Sequence, residues 1–156
     1  LVGTPRYAET AQIALRAMRS TMMAQPVGYG HWLCGLDFAL STPKEVVIVG
    51  DRNEAGTIAL LDAVYSRYLP NKVVAGMASE DDPMAEELGL LEGRVLIGGK
   101  PTAYVCQNYA CQMPVTDPEA LLEQLGAESD GLDVVSQSSY LLPPKWKLNP
   151  TSEAGE

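Results

Sequence analysis

Apolar residues follow two different rhythms along this chain, and the rhythm changes at Pro43. Before it, Ala8, Ala11, Leu15, Met18 and Met22 recur every three or four residues. That spacing predicts an amphipathic helix opening at Thr4-Pro5 and stopped by Pro26. Thr suits the cap because its hydroxyl accepts an orphan backbone N–H, and Pro suits the first turn because its missing N–H has no partner there to lose. "VGYGHWLCGLDFAL" follows, apolar around most of its girth, with Tyr29, Leu33, Leu36 and Leu40 down one side. It predicts a second helix buried on several faces, paired with the first as a hairpin that ends at Ser41-Thr42-Pro43.

Beyond Pro43 the apolar positions become short unbroken runs. "EVVIVG" and "KVVAGMA" are β-branched stretches of the kind that form strands covered on both faces. Between them, residues 54–68 predict a helix with Ile58, Leu61, Tyr65 and Tyr68 in register, closed by Pro70-Asn71. The acidic stretch "SEDDPMAEELGLL" predicts a short helix near Pro83, and "TDPEALLEQLGA" a last one capped by Thr116 or Asp117. "RVLIGGKPTAYVCQN" holds one or two strands, with a turn at Gly98-Gly99. The alternation predicts an α/β fold: a small, mostly parallel sheet with flanking helices and right-handed crossovers, preceded by the helical hairpin. If "VLI" and "TAYVC" instead pair with each other, the strand order becomes thioredoxin-like. The strands expected in one sheet are 46–49, 73–75 and 103–106, the first two as parallel neighbours. "SQSSYLLPPKWKLNPTSEAGE" has no sustained period and predicts an extended or partly disordered tail.

Composition narrows the partners. With 11 Lys and Arg against 20 Asp and Glu, the net charge is −9, so a phosphate backbone or an anionic membrane surface is not expected to bind. No apolar run reaches the roughly 20 residues that span a bilayer. Three cysteines without a secretory leader point to a reducing, cytoplasmic setting. Leu1 stands where a Met would open a complete chain, so the sequence reads as a piece of a longer protein.

In an open parallel sheet, ligands gather beyond the carboxyl ends of the strands. This places residues 50–53, 77–80 and 106–108 on one edge, with Asp51, Arg52 and Asn108 as a candidate pocket beside Cys106. The plainer alternative is a turn in which Asp51 or Asn53 caps the next helix. "VIVGDRNEAG" has neither the dinucleotide nor the P-loop glycine pattern, and Asp51 and Glu54 would repel a phosphate at the helix start. No cofactor is expected.

Cys106 and Cys111 are the remaining chemical candidates. A zinc tetrahedron would need His31 and Cys34 from the predicted buried helix as well, so no metal is expected. A redox pair would need a thiolate-stabilising neighbour such as Arg52. A structural pair, with Cys106 as a small core residue ending a strand, is the third reading, and the expectation is two reduced thiols held close by the turn at 107–110. Asn108 is expected to hold that turn by bonding backbone groups. The carboxylates between 80 and 92 read as a solvated face.

"PKEVVIVGDRNEAGTIALLDAVYSRYLPNKVVAGMA" and "GKPTAYVCQNYACQMPVTDPEAL", with "LDFAL" ahead of them, resemble the C-terminal end of a family of thioredoxin-domain-containing proteins. These are related to the mammalian spermatogenesis-associated thioredoxin-like protein. The resemblance covers most of residues 28–126. It implies a parent with an N-terminal thioredoxin-like domain and an α/α toroid of helical hairpins like those of six-hairpin glycosidases and sugar epimerases. Residues 1–42 would then be the closing hairpin of that toroid, 43–128 a small α/β domain and 129–156 its tail. The implied role is an accessory, non-catalytic domain whose partner is the remainder of the parent protein, with a homodimer as another cover for the apolar hairpin. The alternatives are a redox-active dithiol module using Cys106 and Cys111, or part of a sugar-processing enzyme.

Overall fold

The strand Lys44–Val49 (β1) organises the domain, because its last four residues are buried on both faces of a sheet. The computed structural model describes residues 5–108 and 110–126. The expected Thr4 cap and the tail from 129 lie outside the described residues. Two helices come first, Pro5–Ala24 (α1) and Gly30–Leu40 (α2), joined through a 3-10 turn at Pro26–Tyr29. Then follow β1, the helix Ala55–Ser66 (α3), the strand Lys72–Met77 (β2), a single turn of helix at Met84–Glu87 (α4), and the strands Thr102–Gln107 (β3) and Ala110–Cys111 (β4). The helix Pro118–Gly126 (α5) is last.

The three expected strands share one sheet, in the order β2-β1-β3-β4. β1 and β2 are parallel neighbours, Lys44 opposite Lys72 through Val49 opposite Met77, joined through α3. The sheet is nevertheless mixed rather than mostly parallel, since β3 runs antiparallel to β1 and β4 antiparallel to β3. The cause is the connection after β2. A parallel β3 would need a crossover that returns the chain to the start of β1. Residues 78–101 instead pack along one face and deliver Thr102 beside Val49, at the far end of that strand. "VLI" does not join "TAYVC" as a strand. Ile97 and Lys100 form a bridge across Gly98 and Gly99, whose φ values of 60° and 69° suit residues without a Cβ.

Each face of the sheet has its own core. Val46, Ile48, Ala103 and Val105 pack with Leu60, Ala63 and Val64 of α3 and with Leu121 and Leu125 of α5. Val47, Val49, Met77 and Tyr104 pack on the opposite face with Leu91, flanked by Leu88, Leu90 and Leu96. Period-2 alternation thus sends neighbouring residues of one apolar run into two separate cores. The first residues of the two parallel strands close helix ends. Lys44 Nζ donates to the carbonyl of Leu125 at 2.6 Å, at the end of α5. Lys72 Nζ donates to Val64 and Arg67 carbonyls at 3.4 Å, at the end of α3, and sits over the Tyr65 ring. A cation suits both places because carbonyls at a helix C-terminus carry negative partial charge. At the start of α5, Asp117 Oδ2 accepts the Ala120 N–H at 2.9 Å, the capping expected for Asp117.

Two helix faces differ from expectation. α3 turns Thr57, Leu60, Ala63 and Val64 inward, while Ile58, Tyr65 and Tyr68 are exposed. Its apolar residues make two overlapping stripes, and the larger side chains fall on the outer one. α2 buries no residue and leaves Trp32, Leu33 and Phe38 open, so the buried second helix is not seen within the described residues. α1 turns Leu15 and Met22 of its stripe inward, with Met18 half-buried, while Ala8 and Ala11 are exposed.

The burial pattern of α3 is testable by substitution. Leu60→Ala should cost about 2–5 kcal/mol, the range for a large-to-small change in a packed core. Ile58→Ser should stay within about 1 kcal/mol, near the range for exposed positions. Urea unfolding of the two variants checks the assignment, and equal losses would contradict it.

Candidate functional site at the cysteine hairpin

The turn after β3 is set by register. Gln107 pairs with Ala110, so the chain reverses across two residues, and Asn108 adopts a φ of 50°. Asn tolerates this left-handed backbone better than other residues with a Cβ. The next pair outward is Cys106 opposite Cys111, with Cα atoms 3.9 Å apart. Their sulfurs are bonded as a disulfide. The structure therefore corrects the expectation of two free thiols: directly opposed positions on a tight hairpin bring the sulfurs within bonding distance. Cys106 is only 2% exposed, whereas Cys111 lies open on the short outer strand. The third cysteine, Cys34, is free and exposed on α2.

Arg94 is the charged group beside this disulfide. Its Nη2 donates to Cys106 Sγ at 3.4 Å and to Cys111 Sγ at 3.1 Å. Tyr104 and Cys106 are two residues apart on β3 and so share a face, the same face that residues 85–96 cover. One guanidinium can therefore lie over the Tyr104 ring, 5.0 Å from its centroid, and still reach the sulfurs. The Tyr104 hydroxyl donates to the Val95 carbonyl at 2.8 Å and accepts the Val95 N–H at 3.1 Å, pinning the residue next to Arg94. Arg94 Nε adds a 3.5 Å contact to the Leu90 carbonyl. Thr102 Oγ1 accepts the Ile97 N–H and donates to the Lys100 carbonyl, both at 2.8 Å, which fastens the rest of that loop to β3. Arg94 is thus preorganised on three sides.

The candidate pocket of Asp51, Arg52 and Asn108 is not assembled. Asp51 and Arg52 follow the carboxyl end of β1, but Cys106 is opposite Glu45, near its other end. The reversed β3 leaves Asn108 beyond the start of β1 and Asp51 beyond its end, roughly 25 Å apart at the rise of a strand. Asp51 instead accepts the Asn53 N–H at 2.8 Å, closing a local turn ahead of α3. The cap position is Glu54, without a side-chain cap hydrogen bond, so neither Asp51 nor Asn53 caps the helix as the plainer alternative expected. Gly50, with φ +155°, completes that turn, because a Cβ there would run into Thr57 and Pro101. Arg52 is therefore not the cation beside the cysteines. Arg94 was not legible as that cation, since it sits 12 residues before Cys106 in a segment without apolar period. Among the described residues, no group of three or more His, Cys, Asp or Glu is arranged to hold a metal, and no helix is long and apolar enough to cross a membrane.

Fold and site together define a small α/β domain carrying a cross-strand disulfide under an arginine. The chain is similar to a stretch of much larger proteins named Spermatogenesis-associated protein 20. It is 36% identical to the human protein over 107 residues, which is 67% of this chain and 13% of that protein. With the rat protein it shares 32% identity over 121 residues, 76% of this chain and 15% of the relative. The mouse protein is 35% identical over 107 residues. The chain therefore spans 13–15% of the length of these relatives. No protein-family model and no solved structure matches it.

The turn offers a direct check. Asn108→Ala should destabilise the domain by about 1 kcal/mol, the cost of a left-handed backbone for an ordinary side chain, and Asn108→Gly should be neutral or slightly stabilising. Thermal unfolding of both variants measures this. Equal losses for Ala and Gly would mean that the Asn108 side chain, not its backbone angle, sets the turn.

Proposed function

We propose that this is an accessory α/β domain of a longer, thioredoxin-domain-containing protein, and that its Cys106–Cys111 pair cycles between disulfide and dithiol. The Arg94 guanidinium on both sulfurs carries this reading. A fixed cation within hydrogen-bonding distance favours thiolate over thiol, and the thiolate is the reactive species in exchange. The structural alternative is weaker on energetic grounds. A disulfide closing so short a loop restricts the unfolded chain by about 2 kcal/mol, against about 4.7 for a 100-residue loop. It staples residues that the hairpin already holds together. In a cytoplasmic setting, disulfides are usually transient, catalytic or sensory, and an exposed member such as Cys111 is open to exchange.

The longer parent is supported by the share of its relatives that the chain spans. It is supported also by the exposed Trp32, Leu33 and Phe38 on a helix that buries nothing. Apolar side chains grouped in this way mark a contact surface. The reading gives that surface to the remainder of the parent, with residues 1–42 as the closing hairpin of its helical toroid. A homodimer is the other cover it allows.

Equilibration against glutathione buffers tests the redox reading. The pair should titrate between about −180 and −270 mV, the span from protein disulfide isomerase to thioredoxin. Arg94→Met should move it to more negative potential by about 30 mV, equivalent to about 1.4 kcal/mol, because removing the cation destabilises the reduced, thiolate-bearing form. A potential below about −300 mV would mark a structural disulfide and contradict the proposal.

A further inference from the structure

We infer that exchange at this site is directional: an incoming thiolate attacks Cys111 Sγ, and Cys106 departs as a thiolate held by Arg94. The inference rests on the redox reading of the pair and adds which sulfur receives the partner. The ligand class is a small thiol or the exposed cysteine of a dithiol protein.

Thiol–disulfide exchange proceeds in line, the attacking sulfur approaching opposite the bond that breaks. Cys111 is open to solvent, since β4 is the outer strand and both its residues are exposed, although Arg94 Nη2 also lies 3.1 Å from its sulfur. Approach to Cys106 is obstructed: its side chain is 2% exposed, on a strand between β1 and β4. Departure of Cys106 leaves a negative sulfur in a buried position, which desolvation disfavours unless a cation is at hand. Arg94 Nη2, 3.4 Å from that sulfur, supplies the cation without rearrangement. Its stacking on Tyr104 and the Tyr104–Val95 hydrogen bonds do not involve the disulfide, so they survive its opening. Glu45, the cross-strand partner of Cys106 on β1, acts in the opposite sense, so Arg94 must outweigh it.

The electrons balance as follows. The incoming thiolate forms a bond to Cys111 Sγ while the Cys106–Cys111 bond breaks and its electron pair stays on Cys106. When the donor is a dithiol, its second thiolate attacks the donor sulfur of the mixed disulfide and releases the Cys111 thiolate. The donor leaves as a disulfide, oxidised by two electrons, and the hairpin is left as a dithiol. The two domain thiolates take up protons from solvent according to pH. With a monothiol donor, the chemistry stops at the mixed disulfide until a second thiol arrives.

The test uses the full chain carrying Cys34→Ser, which removes the exposed free thiol. Oxidised protein is treated with excess reduced glutathione, quenched in acid, alkylated with N-ethylmaleimide and mapped by peptide mass spectrometry. Glutathione should sit on Cys111 and maleimide on Cys106, with the reverse product at least about tenfold rarer. Equal labelling, or glutathione on Cys106, overturns the inference. Rapid re-closure could hide the intermediate, so single-cysteine variants give a second reading. Cys111 in Cys106→Ser should react with a chromogenic aromatic disulfide at least about tenfold faster than Cys106 in Cys111→Ser, and equal rates overturn the proposal. In Cys111→Ser, thiolate absorbance of Cys106 should develop at lower pH than in the same protein with Arg94→Met, with Arg94→Lys between them. An unchanged curve removes Arg94 from the step. The single-cysteine variants hold no Cys106–Cys111 bond, so their relative rates are read independently of the redox equilibrium.

Discussion

The elements from β1 to α5 are placed by the fact that β1 has no free side. Its backbone is paired on one edge to β2 and on the other to β3, and Val46 through Val49 alternate into two separate cores. A strand so enclosed cannot slip by one residue without exchanging the two cores. α3 and α5 are held on one face, residues 85–96 on the other. The second group brings Arg94 over Tyr104, and β3 carries Cys106 out beneath it. The placement of the hairpin thus depends on the four buried valine and isoleucine positions of β1, which carry no reactive group of their own.

Much of this was legible in the sequence, for a physical reason. Unbroken β-branched runs have few alternatives to a strand covered on both faces, and Asp117-Pro118 or Gly98-Gly99 admit few local conformations. The direction of β3 was not legible, because it depends on where residues 78–101 deliver the chain rather than on the strand's own residues. That one reversal dismantled the expected pocket, moving Cys106 and Asn108 away from Asp51 and Arg52. The inner face of α3 was misread for a different reason: when apolar residues cover most of a helix, size and period point to different sides. α2 keeps most of its apolar girth open because among the described residues chiefly α1 packs against it.

The cysteine pair shows the same division between local and long-range information. That the two residues would be neighbours followed from a turn between them, in which Asn108 takes a left-handed backbone. That a cation was needed for reactivity followed from thiol chemistry. Which cation could not be read, since Arg94 arrives through the packing of Leu88, Leu90, Leu91 and Leu96 on the far face. The arginine-capped disulfide lies at the junction of a local feature, the hairpin, with a loop whose position only the whole sheet determines.

In the proposed function the disulfide is a switch mounted on a scaffold that does not need it. Amide hydrogen exchange, followed by mass spectrometry while a glutathione buffer is taken from oxidising to reducing, tests this most directly. Protection should fall in residues 90–97 and 105–112 as the pair opens, while amides of β1 and α3 keep their protection. Loss of protection throughout β1 on reduction, or no opening of the pair short of global unfolding, would show instead that the bond is a structural staple.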